Sequence, residues 1–233
     1  MAVKLSTGKE IPIEMHKARM VQKILLPGVE QRLKAIEEAG YNTFQLKSKD
    51  VFLDMLTDSG TNAMSDNQFA AMIRTDDAYA GSMTFYEFAE AVKDVLGYDY
   101  VMNVHQGRAA VNPITKVLAK PGDVIPTNYH FTTTKAHMEL TGALCLELYA
   151  DEALKTASTH PFKGNMDPQR LRDAIKKYGQ DRVPFVRMEA TANLLGGQPF
   201  SMQNLKEITA IAREYAIPSV LDLSLIHISE PTR

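Results

Sequence analysis

The sequence has almost no cysteine, no long apolar run and very little net charge. A single cysteine in 233 residues, Cys145, excludes an internal disulfide framework and is typical of a reducing compartment. No run of about 18 apolar residues is present to form a membrane-spanning helix, and residues 1–12 lack the apolar core of a signal peptide. A formal net charge of −2 gives no electrostatic reason to expect a nucleic-acid or membrane partner. We therefore expect a cytoplasmic protein that binds neither.

Two common catalytic patterns are also missing. No histidine or cysteine pair stands at zinc-ligand spacing, and no Gly-x-Ser-x-Gly motif supplies a hydrolase nucleophile. Cys145 lies in a stretch, 143–149, that alternates like a strand. This pattern favours a small buried side chain over a catalytic thiol.

From about residue 84 onward, predicted helices and strands alternate. Gly97 ends the first of these helices, and Asp167 caps a later one that has Pro168 at its first position. Regular alternation predicts right-handed crossovers, and thus an α/β fold with a mostly parallel sheet covered on both faces. Ligands of such sheets bind beyond the carboxyl ends of the strands. The predicted strands are 98–104, 123–128, 144–149, 183–190 and 219–222, and the helices are 84–96, 107–119, 132–140, one from 168 onward, and 201–215.

The chain is predicted to have four parts. Residues 1–28 form an amino-terminal arm, and 29–56, with a helix over 29–39 and a strand over 51–56, begin a small domain. Residues 57–222 form an incomplete large domain that carries the ligand site. Residues 223–233 resemble translated sequencing-adapter sequence, so we expect this tail to be non-native and give His227 no functional weight.

A candidate phosphate site lies at 105–108, where His-Gln-Gly-Arg follows a predicted strand and opens a helix. Backbone N–H groups at the start of a helix attract anions. Gly107 allows the backbone to approach a ligand closely, and Arg108 can add a bidentate contact. A glycine placed at this turn for steric reasons alone is an equal alternative.

Three further side chains follow predicted strands. Asp222 ends an apolar strand where a hydrophobic residue would fit, and such a carboxylate needs a partner, such as a pyridinium nitrogen. Asn193 precedes two glycines and a proline that impose an unusual loop, and its amide can bind a phenolate oxygen. Phe131 can stack on a heteroaromatic ring. The alternatives are a structural or helix-capping aspartate, a turn asparagine and a core phenylalanine.

Six ordered stretches resemble the tyrosine phenol-lyase and tryptophanase family of β-eliminating lyases, which use pyridoxal 5′-phosphate (PLP). The resemblance extends over residues 33–222, about four fifths of the chain. It implies an aspartate-aminotransferase-like fold of PLP fold type I, truncated here, and a homotetramer that requires a monovalent cation such as potassium. The stretches are Leu56–Asp66, Asp76–Ser82, His105–Arg108, Phe131–Thr134, Phe162–Asn165 and Gly196–Pro199.

The resemblance also implies a role for individual residues. Tyr79 matches the general acid that protonates the departing aromatic ring, and Thr57 and Ser59 match residues near the substrate carboxylate. Gly60 and Asp77 match the cation site, where the family usually has Glu instead of Asp77. The residues implied to bind PLP are Gln106, Gly107 and Arg108 at the phosphate, Phe131 against the ring, Asn193 at the ring oxygen and Asp222 at the ring nitrogen.

The implied reaction is β-elimination from an aromatic amino acid, with tyrosine giving phenol, pyruvate and ammonia. Thr132, implied to act at the substrate, and the short connection 120–123 resemble the tyrosine-cleaving branch. Tryptophanase is the alternative within the family. Because residues 5–26 match neither branch, a related lyase with another substrate is a further alternative. Less favoured alternatives are another enzyme of fold type I, such as an aminotransferase or cysteine desulfurase, and a non-catalytic phosphate-binding module. The family's Schiff-base lysine lies beyond Asp222, so we expect this chain alone to be inactive.

Overall fold

The computed structural model describes residues 2–4, 10–12, 25–56 and 64–223. The chain divides into two compact units, Met1–Asp58 and Ser59–Arg233. The adapter-like tail, apart from Leu223, lies outside the described residues.

The described residues of the first unit contain two short strands and one α-helix. Strands β1 (Ala2–Lys4) and β2 (Glu10–Pro12) pair antiparallel, and α1 spans Val29–Glu38. Two 3-10 helices follow, Thr43–Gln45 and Ser48–Asp50. The predicted strand over 51–56 is wrong: these residues form bends, and Leu53 and Met55 are 69% and 83% exposed. Apolar composition predicted a strand, but no described strand of this unit pairs with the segment.

The described part of the second unit, from residue 64, has helices first and then alternating strands and helices. Its helices are α2 (Asp66–Ile73), α3 (Met83–Leu96), α4 (Gly107–Leu118), α5 (Thr132–Leu140), α6 (Pro168–Tyr178) and α7 (Met202–Glu214). Its strands are β3 (Val124–Thr127), β4 (Leu144–Glu147), β5 (Val186–Glu189) and β6 (Ser219–Asp222).

The four strands of this unit form one sheet in the order β4-β3-β5-β6, and every neighbouring pair is parallel. Because strands adjacent in sequence are joined by helices, the predicted α/β class with a mostly parallel sheet is confirmed. The parallel arrangement brings all four carboxyl ends to one edge of the sheet.

Apolar side chains pack on both faces of the sheet. On one face, Val186 and Met188 of β5 contact Leu171 of α6 and Ile208 of α7 in a buried cluster. On the opposite face, a second cluster joins Ile125 of β3 and Phe185 to Met138 of α5, with Ile114 of α4 and Val220 of β6 packed against it. The predicted covering of both faces by helices is therefore confirmed.

Local signals predicted most of these elements well. Gly97 ends α3 in the left-handed conformation, and Asp167 caps α6 by accepting hydrogen bonds from the backbone N–H groups of Gln169 and Arg170. Helix α2 was missed, although Ser65 and Gln68 form a capping box that marks its start.

The predicted strand over 98–104 is wrong. Its aromatic and apolar residues pair with no described strand, and Tyr100 and Met102 are 95% and 82% exposed. Alternation along a chain predicts a strand only where a neighbour supplies the hydrogen bonds. Among the helices that the structure describes, none is long and apolar enough to cross a membrane.

Candidate functional site

All four strands of the sheet end on a polar residue. The last residues of β4, β3, β5 and β6 are Glu147, Thr127, Glu189 and Asp222. Thr127 lies opposite Glu147, and Glu189 lies opposite Asp222. Because side chains two residues apart share a face, Asp222 lies on the same face as Val220, which α4 and α5 cover. The carboxyl edge of the sheet therefore carries a polar row where ligands of this architecture bind.

Arg187 is the centre of this polar row. Its Nη2 donates to Asp222 Oδ2 at 2.7 Å and to Glu189 Oε2 at 3.0 Å. Its Nη1 donates to Thr127 Oγ1 and to the carbonyl oxygen of Tyr129, both at 3.2 Å. The side chains of Arg187, Glu189 and Asp222 are 2%, 6% and 16% exposed. One guanidinium charge thus lies between two carboxylates, the buried Glu189 and the partly exposed Asp222, and donates hydrogen bonds to both.

Glu189 connects this cluster to Asn193. Its Oε1 accepts a hydrogen bond from the backbone N–H of Asn193 at 3.3 Å, where the 3-10 helix Asn193–Leu195 begins. Burial raises the pKa of the Glu189 carboxyl above its usual value, although the charge of Arg187 opposes the shift. Asp222 and Asn193, predicted separately as ligand residues, are therefore linked through Arg187 and Glu189.

Two of the stretches on which the family resemblance depends meet beside the polar row. The N–H of Gly164 donates to the carbonyl oxygen of Pro199 at 2.9 Å. A Cβ on Gly164 would lie 2.4 Å from the carbonyl oxygen of Gln198, so only glycine fits there. Gly196 and Gly197 have φ values of 82° and 71°, which confirms the unusual loop predicted after Asn193.

Phe131 and Thr132 lie where β3 leads into α5. Phe131 is the half-buried N-cap residue of α5, and the exposed Thr132 is the first residue of the helix. The preceding His130 pairs through Nδ1 with Oε1 of Glu147 at the end of β4, and Tyr129 stacks on His130 with ring centroids 5.1 Å apart. Both predicted residues thus lie at the carboxyl edge of the sheet.

The predicted phosphate site is the start of α4. Gln106 is its N-cap residue in an extended conformation, no side chain caps the helix, and Gln106, Gly107 and Arg108 are exposed. Because α4 ends shortly before β3 begins, the helix runs back along the sheet and its first turn points toward the carboxyl edge. Asn112 of α4 contacts His137 of α5 at 3.2 Å, which ties the two helices together. The first-turn N–H groups are thus available to an anion.

Tyr79 and Asp77 lie in an exposed loop between α2 and α3. Tyr79 is fully exposed. The loop is closed by Asp76, whose carboxylate accepts from Ser82 Oγ at 2.7 Å, the N–H of Met83 at 2.9 Å and the N–H of Thr84 at 3.1 Å. These hydrogen bonds, with that from the Thr84 hydroxyl the strongest, lower the pKa of Asp76 well below its usual range.

The predicted substrate residues Thr57 and Ser59, and the predicted cation residue Gly60, lie outside the described residues. In the part of the chain that the structure describes, no three acidic, histidine or cysteine side chains form a group that could hold a metal ion. Burial, followed by the nearby Glu147, raises the pKa of the Cys145 thiol to about 11, which fits the predicted inert side chain.

Arg187 and Glu189 were not predicted as site residues. The signal was present in the sequence, because two charges two residues apart interrupt an otherwise apolar strand. Period-two spacing places both on one face, and buried charges are rare unless paired. Their partner Asp222 is 35 residues away from Arg187, so the pairing itself could not be read from sequence.

The chain is similar to known lyases over most of its length. The family model described as beta-eliminating lyase matches residues 54–224. A tyrosine phenol-lyase of Nostoc punctiforme is 46% identical over 209 residues, which are 90% of this chain and 45% of the relative. A probable beta-eliminating lyase of Trichomonas vaginalis is 42% identical over 214 residues, 91% of this chain and 46% of the relative. The chain thus spans about half the length of the curated relatives it matches.

Among solved structures, cystalysin from Treponema denticola, which contains PLP, matches with a TM-score of 0.49 at 16% identity. The match covers 66% of this chain and 38% of cystalysin. An alanine aminotransferase from Pyrococcus furiosus matches with a TM-score of 0.47 at 22% identity, over 59% of this chain and 33% of the aminotransferase.

Proposed function

The chain belongs to the beta-eliminating lyase family, and from this premise we propose that the whole protein is a PLP-dependent lyase that cleaves tyrosine to phenol, pyruvate and ammonia. The observation that carries the proposal is the carboxylate of Asp222, held by Arg187 at the carboxyl edge of the parallel sheet. An ionised carboxylate at that edge suits the protonated ring nitrogen of PLP.

The residues present fit the cofactor by the chemistry of their donors. A phosphate requires N–H donors and positive charge, and α4 begins without a side-chain cap beside the exposed Arg108. The ring requires an anionic partner for its nitrogen, a donor for its oxygen and an apolar surface. Asp222, the side-chain amide of Asn193 and the ring of Phe131 have these properties.

Bound PLP would withdraw electrons from the α-carbon of the substrate, which allows the bond to the aromatic ring to break. The chain's own residues would then have separate tasks. Asp222 would keep a proton on the nitrogen of the PLP ring, and Asn193 would donate a hydrogen bond to the phenolate oxygen on that ring. Tyr79 donates a proton to the ring carbon of the departing phenol, which makes phenol a stable leaving group. Thr132 offers its hydroxyl to the substrate from the first turn of α5.

Arg108 and Asp222 provide the direct test of this assignment in a full-length protein that contains the chain. Arg108→Ala should weaken PLP binding by roughly ten- to a hundredfold, because a charge-assisted contact contributes about 1.5–3 kcal/mol. Asp222→Ala should still bind PLP, although about tenfold or more weakly because the ring nitrogen loses its anionic partner, and should lose most elimination activity because that nitrogen would no longer hold its proton. Titration of the cofactor-free protein with PLP, followed by absorbance, measures the first effect. The exposed Arg74, changed to Ala, is the matched control. Unchanged PLP affinity in Arg108→Ala would refute the phosphate assignment.

Tyrosine is the proposed substrate because curated relatives that cover the chain are tyrosine phenol-lyases. Thr132 and the short connection 120–123 support the same branch. The test supplies tyrosine and tryptophan separately to the full-length protein and measures phenol and indole. Faster release of indole than of phenol would favour the tryptophan-cleaving reaction instead.

Potassium bound near Gly60 and Asp77, a homotetramer and a cytoplasmic location complete the proposal. Asp77 is exposed and could approach a cation. Activity in potassium compared with sodium at equal ionic strength tests the cation. The four-part division of the chain and the inactivity of residues 1–233 alone stay predictions.

A further inference from the structure

We propose that Arg187 and Glu189 are positioning residues that hold Asp222 and Asn193 in place for PLP, an inference that rests on the proposed function. Arg187 and Glu189 belong to β5, Asp222 ends β6, and Asn193 opens the turn that follows β5. Asp222 and Asn193 are the residues proposed above to contact the nitrogen and the phenolate oxygen of the PLP ring.

Arg187 orients Asp222 through the two terminal nitrogens of its guanidinium group, each of which donates two hydrogen bonds. Four acceptors surround it, on the ends of β3, β5 and β6 and on the backbone just after β3. Because the sheet holds these elements in place, the four contacts restrain the guanidinium, and its 2.7 Å contact orients Oδ2 of Asp222. Lysine has no planar fork and could not reach all four acceptors in this way.

Glu189 orients Asn193 from the same cluster. Its own backbone is held by Asn128, whose amide accepts from the N–H of Glu189 at 2.8 Å and donates to its carbonyl oxygen at 3.0 Å. Its side chain contacts Arg187 with one oxygen and the N–H of Asn193 with the other. A displacement of Arg187 would therefore move both Asp222, which it contacts directly, and Asn193, which it contacts through Glu189.

Burial separates positioning from direct contact. Arg187 and Glu189 are 2% and 6% exposed, whereas Asp222 is 16% exposed. The first two are buried, and Asp222 is the member of the three that is accessible at the sheet edge. Stability gives no reason for the charges, because a buried ion pair is often no more stabilising than apolar residues of similar volume. Orientation of Asp222 and Asn193 is the role that the contacts support.

The experiment measures PLP affinity and the absorption spectrum of bound PLP in full-length protein prepared without cofactor. Arg187→Met should weaken PLP binding about tenfold and shift the absorption spectrum, because Asp222 loses a charge-assisted hydrogen bond that fixes it. Arg187→Lys should give an intermediate loss. Arg172→Met is the matched control, since Arg172 forms an exposed ion pair with Glu214 at 2.7 Å and should leave affinity and spectrum unchanged.

A double-mutant cycle distinguishes positioning from a general structural role. If Arg187 acts through Asp222, then Arg187→Met should weaken PLP binding less than about twofold when Asp222→Asn is already present. Equal losses in both backgrounds would overturn the proposal. If Arg187→Met does not fold, the same cycle with Arg187→Lys retains the buried positive charge, and its outcomes have the same meaning.

Failure of this inference is distinguishable from failure of the proposed function. If the unaltered protein binds no PLP, or if Arg108→Ala binds PLP as tightly as the unaltered protein does, the proposed function is refuted. The positioning role of Arg187 and Glu189 is then refuted with it. If the unaltered protein binds PLP and Arg108→Ala binds it more weakly, but Arg187→Met leaves PLP affinity and the absorption spectrum of bound PLP unchanged, only the positioning role is overturned.

Discussion

The side-chain amide of Asn128, the residue after β3, forms hydrogen bonds with both the backbone N–H and the backbone carbonyl of Glu189, the last residue of β5. Its Oδ1 accepts from the N–H of Glu189 at 2.8 Å, and its Nδ2 donates to the carbonyl oxygens of Glu189 at 3.0 Å and Gly164 at 2.9 Å. Asn128 itself is completely buried. One amide therefore ties the end of β5 and the Gly164 loop to the end of β3.

Asn128→Ala should destabilise the chain by roughly 2–4 kcal/mol, because three hydrogen bonds are lost and their buried partners are left unsatisfied. Urea unfolding measures the effect as a lower midpoint. Asn67→Ala, which removes an exposed amide on α2, should stay within about 0.5 kcal/mol. Equal midpoints for the two variants would contradict the structural role of Asn128.

Asp76→Asn should loosen the loop between α2 and α3 without changing global stability, because the carboxylate that closes the loop loses its charge-assisted hydrogen bonds. Amide hydrogen exchange over 77–84 should become roughly tenfold faster. Asp94→Asn, an exposed change on α3, is the control. Since the pKa of Asp76 is lowered, its contribution is complete above the ordinary aspartate pKa and is lost only as pH falls through the depressed value. Protection that is unaffected by Asp76→Asn would count against this closure.

Tyr79→Phe in the full-length protein should preserve PLP binding and α-proton exchange but slow phenol release by roughly two to four orders of magnitude. Tyr79 is fully exposed in this chain, so removal of its hydroxyl should not disturb the fold. Substrates with better leaving groups, such as S-alkyl cysteines, need less ring protonation and should lose less. Tyr100→Phe, also highly exposed, controls for the loss of a phenol. Equal losses on both substrate classes would eliminate the general-acid role.

Glu189→Gln should remove a pH dependence of stability in the protein without cofactor. The pKa of Glu189 is raised in the folded state, so the folded protein binds more protons than the unfolded chain above the ordinary value near 4.5. Stability from this group is therefore present below that value and falls as pH rises through the raised pKa. Urea midpoints from pH 4 upward should show a smaller decline for Glu189→Gln than for the unaltered chain. Glu139→Gln, on the exposed side of α5, should keep the full decline.

Local sequence signals determined much of the fold. The cap at Asp167, the left-handed Gly97 and the periodic apolar residues predicted α6, α3 and most of the sheet, because each depends on neighbours within a few residues. The positions of Asn193, Phe131 and Asp222 after strands also followed from sequence. Since parallel strands end at one edge, their common location at the carboxyl edge could be expected.

Tertiary structure alone decided which residues meet. Residues 98–104 have the composition of a strand, but they pair with none of the described strands and stay irregular. Arg187 meets Asp222 because β5 and β6 pair with Glu189 opposite Asp222, a register that depends on packing of both faces. The sequence thus determined the strands and the polar ends, whereas long-range packing decided the contacts between those ends, since such contacts depend on residues far apart in the chain.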